Sequence, residues 1–265
     1  MRFGVAVMAL GASLAIVSAS AVTAYAAQTS GTPTGNDVSY PQCGKALPLG
    51  QAFGIVGVND GLANNTSPCL TAEINWARSS SGTTSQPKAS LYVNTANPGN
   101  LGVADWPANN SDPVTGNRVT GPYGNCTGGD NQACAWQYGW DMADLDAHIR
   151  GVPTPGSYRW WLDAETASSW KSSTQNNRAD LEGMVAYFHS IGASVGVYSP
   201  AGQWARIAGS VPPGSPLYTL PDWLPGVTTL LQAKANCGSA PLTGAGTIAV
   251  TQWTSSTADG DFSCR

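Results

Sequence analysis

The apolar and polar segments of the chain alternate in a way that predicts strands and helices in turn. Short apolar runs bounded by polar or turn residues are typical of buried strands. After a first strand that opens at Asn36, such runs lie at 53–58, 89–94, 158–162, 194–198 and 247–253. Segments with helical start signals or apolar spacing predict helices at 67–78, 136–150, 178–191 and 228–235.

This alternation predicts a parallel sheet with helices outside it. The length of 265 residues fits a single α/β domain, a modified (β/α) TIM-like barrel over residues 36–265. About six strands can be identified, so closure into eight is inferred from the fold type. Residues 95–135 are rich in Asn, Gly and Pro and are interpreted as a loop insertion, which at this length is usually functional or stapled. Residues 209–226 are Pro- and Gly-rich and show no clear element.

The N-terminus has the pattern of a secretory signal peptide over residues 1–27. Arg2 supplies the positive charge, residues 3–17 are apolar or small, and Ala24-Tyr25-Ala26 fits a cleavage site. A membrane anchor is the alternative, although the run is short for a span. We therefore expect a secreted, extracellular, monomeric protein with no membrane span, preceded by a flexible lead-in at 28–35.

The cysteines point to disulfide bonds. Their number is six, and an even number in an exported chain favours three disulfides. Spacing alone leaves the connectivity open. We favour the pairs Cys43–Cys69, Cys126–Cys134 and Cys237–Cys264, because the second flanks a Gly-rich loop and the third would staple the C-terminus. The absence of a CxxC pair and of a nearby His cluster argues against a metal site, and no cofactor is expected.

Composition narrows the possible ligands. Only 11% of residues are charged and the net charge is −4, against roughly 25% charged residues in a typical domain. Without a basic stripe, nucleic-acid binding by phosphate neutralisation is not expected. The chain has 10 tryptophans, whose faces stack on the apolar faces of sugar rings much as they do on bases. Trp223 and Trp253 are the best candidates to line a cleft.

The strongest chemical signal is a strand that ends in two carboxylates, Asp163 and Glu165. Side chains two apart in a strand point to the same side, and the carboxyl end of a barrel strand faces the active site. Two close carboxyls cannot both ionise freely, so one pKa rises. Glycoside hydrolysis uses such a pair. The alternative is a strand end with solvated acids.

Two further acids are predicted to join this pair. Asp37 opens the first strand and Asp261 follows the last identified one, and first and last strands are neighbours in a closed barrel. For Asp261 and the nearby Asp259, a simple turn is the alternative.

A separate acidic patch lies in the segment predicted to form the second helix. Its members are Asp141, Asp144, Asp146 and His148. We interpret them as ordinary side chains near a helix N-terminus, with a metal site as the alternative.

Several segments, taken in order, resemble glycoside hydrolase family 25, the lysozyme-like muramidases. They are Asp37-Val38-Ser39-Tyr40-Pro41-Gln42, Leu162-Asp163-Ala164-Glu165, Val197-Tyr198-Ser199 with Trp204, and Thr251-Gln252-Trp253-Thr254-Ser255, followed by Asp261 in the closing loop.

The resemblance implies a modified (β/α) barrel that cleaves the β-1,4 bond after N-acetylmuramic acid in peptidoglycan. Glu165 would be the general acid. Asp163 would stabilise the oxocarbenium-like state, or orient a substrate N-acetyl group that attacks in place of an enzyme nucleophile. Asp37 and Asp261 would shape the charge of the site. The floor would include Tyr198 and Gln252.

The chain departs from the family pattern at its second and third strands. There it carries Asn59, Asp60, Tyr92 and Asn94, which we expect to contact sugar. Another polysaccharide than peptidoglycan therefore stays open as the substrate. A catalytically silent glycan-binding protein on the same barrel, and a secreted structural or inhibitory protein unrelated to sugars, are the alternatives.

Overall fold

The structure is a computed structural model that describes residues 33–264. The predicted signal peptide at 1–27 and most of the predicted lead-in lie outside the described residues. The strands are β1 (Thr34–Val38), β2 (Gly54–Gly57), β3 (Ala89–Asn94), β4 (Arg159–Asp163), β5 (Ser194–Tyr198), β6 (Asp222–Val227), β7 (Ile248–Trp253) and β8 (Gly260–Ser263). The α-helices are α1 (Leu70–Arg78), α2 (Gln132–His148), α3 (Thr174–Ser190), α4 (Ala201–Ile207) and α5 (Leu230–Asn236), with 3-10 turns at Tyr40–Gln42 and Pro155–Ser157.

The eight strands form a closed barrel in chain order. Strands β1 to β7 run parallel to their neighbours, whereas β8 is antiparallel to both β7 and β1. The prediction of a modified (β/α) barrel is therefore confirmed, and the modification is the reversed last strand. Strand β1 begins at Thr34, two residues before the expected opening of the domain.

Two strands differ from the sequence-based expectation. The segment around Asp261, expected to be a closing loop, forms β8, whose four residues are too few for a visible pattern. Strand β6 is absent from the prediction because it contains Pro225 and Gly226, which usually mark turns. These residues coincide with a shift in its register against β7, as expected where a strand bulges.

Consecutive tryptophans divide the core into two layers. Trp160 faces outward and stacks on Phe188 of α3 with ring centroids 4.4 Å apart. Trp161 points into the barrel, where it meets the ring of Trp223. A side chain at Gly196 on the next strand would place its Cβ 2.3 Å from the Trp161 ring. Side chains thus fill the interior of the barrel, and the cavity lined by its interior-facing residues opens at the carboxyl ends of the strands.

The acidic patch on α2 does not lie near the helix N-terminus, so that interpretation was wrong. The helix begins four residues earlier than predicted, where the Asn131 side chain accepts a hydrogen bond from the Cys134 N–H. The three aspartates therefore lie in its middle and last turns, and all are buried. Asp144 accepts a hydrogen bond from Tyr187, and Asp146 accepts one from Asn59. Within residues 33–264 no cluster of three or more potential metal ligands occurs.

The three predicted disulfides are all present. Cys43–Cys69 joins the segment after β1 to the start of α1, and Cys126–Cys134 joins the insertion to the first turn of α2. Cys237–Cys264 joins the end of α5 to the end of β8. Two of these disulfides thus link the insertion to α2 and the antiparallel strand β8 to α5. No helix in the described part of the chain is long and apolar enough to cross a membrane.

Candidate active site

The register of the barrel places four of the predicted site residues at one level. Asn94 of β3 pairs with Asp163 of β4, which pairs with Tyr198 of β5, which in turn pairs with Trp223 of β6. Paired residues on neighbouring parallel strands share a face of the sheet. The four side chains therefore form a continuous arc, in which Asn94, Asp163 and Tyr198 are the last residues of their strands and Trp223 lies near the start of β6.

The antiparallel strand completes the arc from the other side. Gln252 of β7 pairs with Asp261 of β8. The Gln252 amide donates to Asp37 Oδ2 at 2.9 Å and accepts from the Tyr198 hydroxyl at 3.1 Å. This amide bridges β1 and β5 across the barrel mouth, so the carboxylate of Asp37 is held in a fixed position.

These residues surround a cavity of about 330 Å³, the acid pocket. Seven predicted site residues line it: Asp37, Tyr92, Asp163, Glu165, Tyr198, Trp223 and Gln252. It is also lined by residues that the sequence analysis did not propose, namely Ser39, Pro41, Gln42, Lys45 and the loop 255–259. Ser39, Pro41 and Gln42 belong to the first quoted segment and Ser255 to the last, which were usable signals. Asp259 was singled out only as the neighbour of Asp261, and nothing in the sequence marked Lys45 or residues 256–258.

Asp163 and Glu165 differ in environment although they share a strand end. Asp163 is buried and accepts a hydrogen bond from the Asn94 amide at 3.0 Å through Oδ2, while its Oδ1 has no donor among the described residues. Burial raises the pKa of Asp163 well above its usual value, and the charges of Glu165 and Asp37 raise it further. Glu165 is half-buried at the pocket wall, and burial raises its pKa as well. Asp163 and Glu165 therefore stay protonated to a higher pH than solvent-exposed carboxyl groups do.

Asp261 lies beneath the pocket and does not line it. It is fully buried and accepts a hydrogen bond from the Trp223 indole at 2.9 Å. Burial and the adjacent charge of Asp37 raise the pKa of Asp261 well above its usual value. Burial also raises the pKa of Asp37, against the opposing effect of the Gln252 hydrogen bond. The two carboxyls thus hold less than two negative charges near neutral pH.

Three predicted sugar contacts lie away from the acid pocket. Asn59 is only 1% exposed, and its amide bonds the backbone of Asn94 and the carboxylate of Asp146. Asp60 sits in an exposed loop after β2, outside the lining. Trp253 points outward because its neighbour Gln252 points inward, and its ring packs on Gly260. None of the three lies where a ligand in the pocket would touch it.

Two other predicted contacts have a more specific placement. Trp223 is 2% exposed and forms the bottom of the pocket, so its faces pack on protein groups instead of being open for stacking. Asn94 lines a second cavity of about 130 Å³. Glu165 lines this second cavity as well as the acid pocket. Glu165 is therefore shared by the acid pocket and the second cavity.

A closed barrel with acidic side chains at the carboxyl ends of its parallel strands belongs to the class of α/β-barrel proteins with a polar ligand pocket. Comparisons with known proteins refine this class. A family model described as "Lysozyme-like protein 1" matches residues 157–221. A protein of Dictyostelium discoideum, "Probable GH family 25 lysozyme 4", is 42% identical over 55 residues. That match covers 21% of this chain and 25% of that protein.

The fold is similar to solved muramidase and lysozyme structures over most of its length. A muramidase from Trichobolus zukalii gives a TM-score of 0.54 at 16% identity, covering 88% of this chain and 93% of that one. A bacterial lysozyme from Streptomyces coelicolor gives 0.52 at 14% identity, covering 88% and 93%. A family GH25 lysozyme from Aspergillus fumigatus gives 0.50 at 15% identity, covering 88% and 94%. The sequence comparisons therefore support the resemblance to glycoside hydrolase family 25 over about a quarter of the chain, and the solved structures show a similar fold.

Proposed function

We propose that this protein is a secreted glycoside hydrolase of the muramidase type, which cleaves glycosidic bonds in peptidoglycan or a related polysaccharide. The position of Glu165 carries the proposal. Glu165 is half-buried, lines both the acid pocket and the second cavity, and follows the buried Asp163 by two residues at the end of β4. A polysaccharide strand that occupied both cavities would place a glycosidic oxygen beside Glu165.

Glu165 is assigned as the general acid. Burial raises the pKa of Glu165, which favours the protonated form that can donate a proton to the departing glycosidic oxygen. Its remaining exposure lets it exchange that proton with solvent after each turnover.

Asp163 is assigned to the developing positive charge at the sugar carbon. In its ionised form, which becomes populated as the pH rises past its raised pKa, Asp163 stabilises the oxocarbenium-like state or accepts a hydrogen bond that orients a substrate N-acetyl group for attack. The Asn94 amide positions it for either role. Asp37, held by Gln252, adds negative potential to the pocket, and the buried Asp261 positions Trp223 below it.

The remaining features of the molecule agree with this proposal. Three disulfides suit an extracellular protein. The acid pocket is lined mainly by hydroxyl, amide and carboxyl groups, which match the hydroxyl and amide groups of a neutral or N-acetylated sugar. We propose that the enzyme acts as a monomer and uses no cofactor.

The proposal is tested by incubating the purified protein with peptidoglycan and with a panel of other polysaccharides, followed by assay of new reducing ends. Release of reducing ends from one of them identifies the substrate. Binding without release would contradict hydrolysis and favour the glycan-binding alternative. Neither binding nor release would contradict both.

A further inference from the structure

A pocket separate from the acid pocket lies where the insertion packs on helices α2 and α3. Its volume is about 450 Å³, and it shares no lining residue with the acid pocket. One wall is formed by insertion residues between positions 112 and 120. The other wall is formed by Trp136 and Trp140 of α2 and by Ala186 of α3. We refer to this cavity as the insertion pocket, and none of the roles assigned above uses it.

The insertion is attached to the helices by specific contacts, although it contains neither a helix nor a strand between residue 95 and the start of α2. Besides its disulfide to α2, the Asn110 amide donates to the Gln137 side chain at 3.0 Å. The Tyr123 hydroxyl donates to the carboxylate of Glu182 on α3. A loop fixed at several points presents the walls of a pocket in one arrangement, which lowers the entropic cost of binding a ligand there.

The ring of Trp140 provides an aromatic surface on one side of the insertion pocket. It is partly buried and stacks on Trp136 with ring centroids 5.5 Å apart, and its contact with the Tyr187 ring is edge-on at 5.2 Å. Its indole N–H donates to Asp112 Oδ2 at 2.9 Å. Trp136 itself is only 4% exposed, and a Cβ at Gly121 would lie 2.5 Å from its ring. Trp140 is therefore the ring that a ligand can contact, and its neighbours hold it in place.

The insertion wall offers hydrogen-bonding groups that no other residue uses. The side chains of Asn117 and Thr120 line the pocket and have no hydrogen-bond partner among the described residues. The carboxylate of Asp112 and the guanidinium of Arg118 are the charged groups in the described lining. Because these two charges balance, the pocket favours a neutral ligand over an ion.

An aromatic ring beside unused amide and hydroxyl groups matches the two kinds of surface that a pyranose presents. The C–H face of the sugar packs on an indole ring, and its hydroxyl or N-acetyl groups bond the polar side chains around the ring. A purely apolar ligand would contact Trp140 but would remove water from Asn117 and Thr120 without replacing its hydrogen bonds, which is costly.

We propose that the insertion pocket is a second carbohydrate-binding site, which takes a neutral or N-acetylated sugar unit. The insertion then holds the protein on a glycan through a surface that is independent of the acid pocket. The proposal concerns binding alone and does not depend on hydrolysis at Glu165.

The test is an NMR titration of the isotope-labelled protein with tetramers of N-acetylglucosamine and of glucose. Each pocket has its own indole N–H reporter. The Trp140 N–H bonds Asp112 beside the insertion pocket, and the Trp223 N–H bonds Asp261 beneath the acid pocket. The two signals are assigned by their loss in Trp140→Phe and in Trp223→Phe. We expect the Trp140 signal to shift and to saturate as one of the two sugars is added.

The double variant Asn117→Ala/Thr120→Ala removes the two unused polar side chains and leaves Trp140 in place. The sugar concentration that half-saturates the Trp140 signal should rise about tenfold, as expected for the loss of one to two hydrogen bonds. The control is Asn100→Ala/Thr127→Ala, which changes the same residue types at exposed positions of the insertion that line neither pocket. It should titrate like the unaltered protein.

A Trp140 signal that moves with neither sugar would overturn the proposal. So would a Trp140 signal that half-saturates at the same concentration in Asn117→Ala/Thr120→Ala as in the unaltered protein. A saturating Trp140 signal together with a Trp223 signal that never moves would support the insertion pocket and would count against the function proposed for the acid pocket.

Discussion

The hydrogen bond between Asn94 and Asp163 provides a quantitative test of the site. Asn94→Leu keeps the approximate volume of the side chain but removes the only hydrogen-bond donor to the carboxyl of Asp163 among the described residues. The donor lowers the pKa of Asp163 against the larger effect of burial. Its removal therefore raises that pKa further.

The size of this rise follows from the energy of the bond. A hydrogen bond to a charged group contributes about 1.5–3 kcal/mol, and a change of one in a pKa corresponds to about 1.4 kcal/mol. We therefore expect the pKa of Asp163 to be about one to two pH units higher in Asn94→Leu than in the unaltered protein. If hydrolysis requires Asp163 as an anion, the acidic limb of the rate profile moves to higher pH by that amount.

The assay is the pH dependence of kcat/KM on the substrate identified above. On the acidic limb the variant should lose about tenfold in rate for each pH unit by which that limb moves, and it should recover part of this loss as the pH rises. Asn75→Leu, at an exposed position on α1, is the control for general effects of the substitution. A uniform loss at every pH would refute the role of Asn94 in setting the protonation of Asp163.

Three further predictions concern stability. Burial raises the pKa of Glu73 and that of Asp222 to about 7, so between their unfolded values and pH 7 the folded state binds more protons than the unfolded state. The free energy of unfolding should therefore fall as the pH rises through this range, by on the order of 3 kcal/mol per carboxyl. A midpoint of thermal unfolding that is higher at about pH 8 than at about pH 5 would contradict this. Replacing both Cys237 and Cys264 by Ala removes a disulfide that closes a loop of 27 residues and should lower the free energy of unfolding by about 3.5 kcal/mol. Replacing Cys126 and Cys134, which are separated by 8 residues, should lower it by about 2.5 kcal/mol. Denaturant unfolding that ranks the two losses in the opposite order would refute the chain-entropy reasoning. Gly196→Ala should lower the free energy of unfolding by about 1–3 kcal/mol, because the new methyl group clashes with the Trp161 ring. Gly202→Ala in α4, where the space around the Cβ position is open, should leave the stability unchanged or raise it. Equal unfolding midpoints for the two variants would contradict this prediction.

The strands that follow simple patterns could be predicted from the sequence. The predicted bounds of β3 and β5 agree with the structure to the residue, because each is an apolar run between turn residues. Strand β6 could not be found, since Pro225 and Gly226 within it look like a turn until its shifted pairing with β7 is known. Strand β8 is four residues long and depends on contacts with β1, which lies more than 200 residues away in sequence.

The candidate site divides in the same way. Asp163 was predictable because alternation along a strand decides which side chains enter the barrel, whereas Tyr198 and Gln252 were expected only from the resemblance to glycoside hydrolase family 25. The same rule excludes Trp253, which neighbours Gln252, so both residues could not contact a sugar in the pocket. Lys45 and the loop 255–259 reach the pocket through chain segments without regular structure, whose course is set by tertiary contacts.

The long-range contacts of Asn59 could not be anticipated either. Its position after β2 suggested a sugar contact, but its amide joins the backbone of Asn94 to the carboxylate of Asp146 on α2. A polar residue at a strand end serves the pocket or the packing around it, and only the position of α2 decides between these roles.

The most direct test of the central assignment is hydrolysis by Glu165→Gln, compared with Glu182→Gln as a matched substitution on α3. Glu182 hydrogen-bonds Tyr123 and Ser215 away from the acid pocket. Glutamine keeps the shape of glutamate but cannot donate the proton. We expect Glu165→Gln to fold, to bind the substrate and to lose at least about 100-fold in kcat, whereas Glu182→Gln should keep its activity. Undiminished hydrolysis by a folded Glu165→Gln protein would contradict the account.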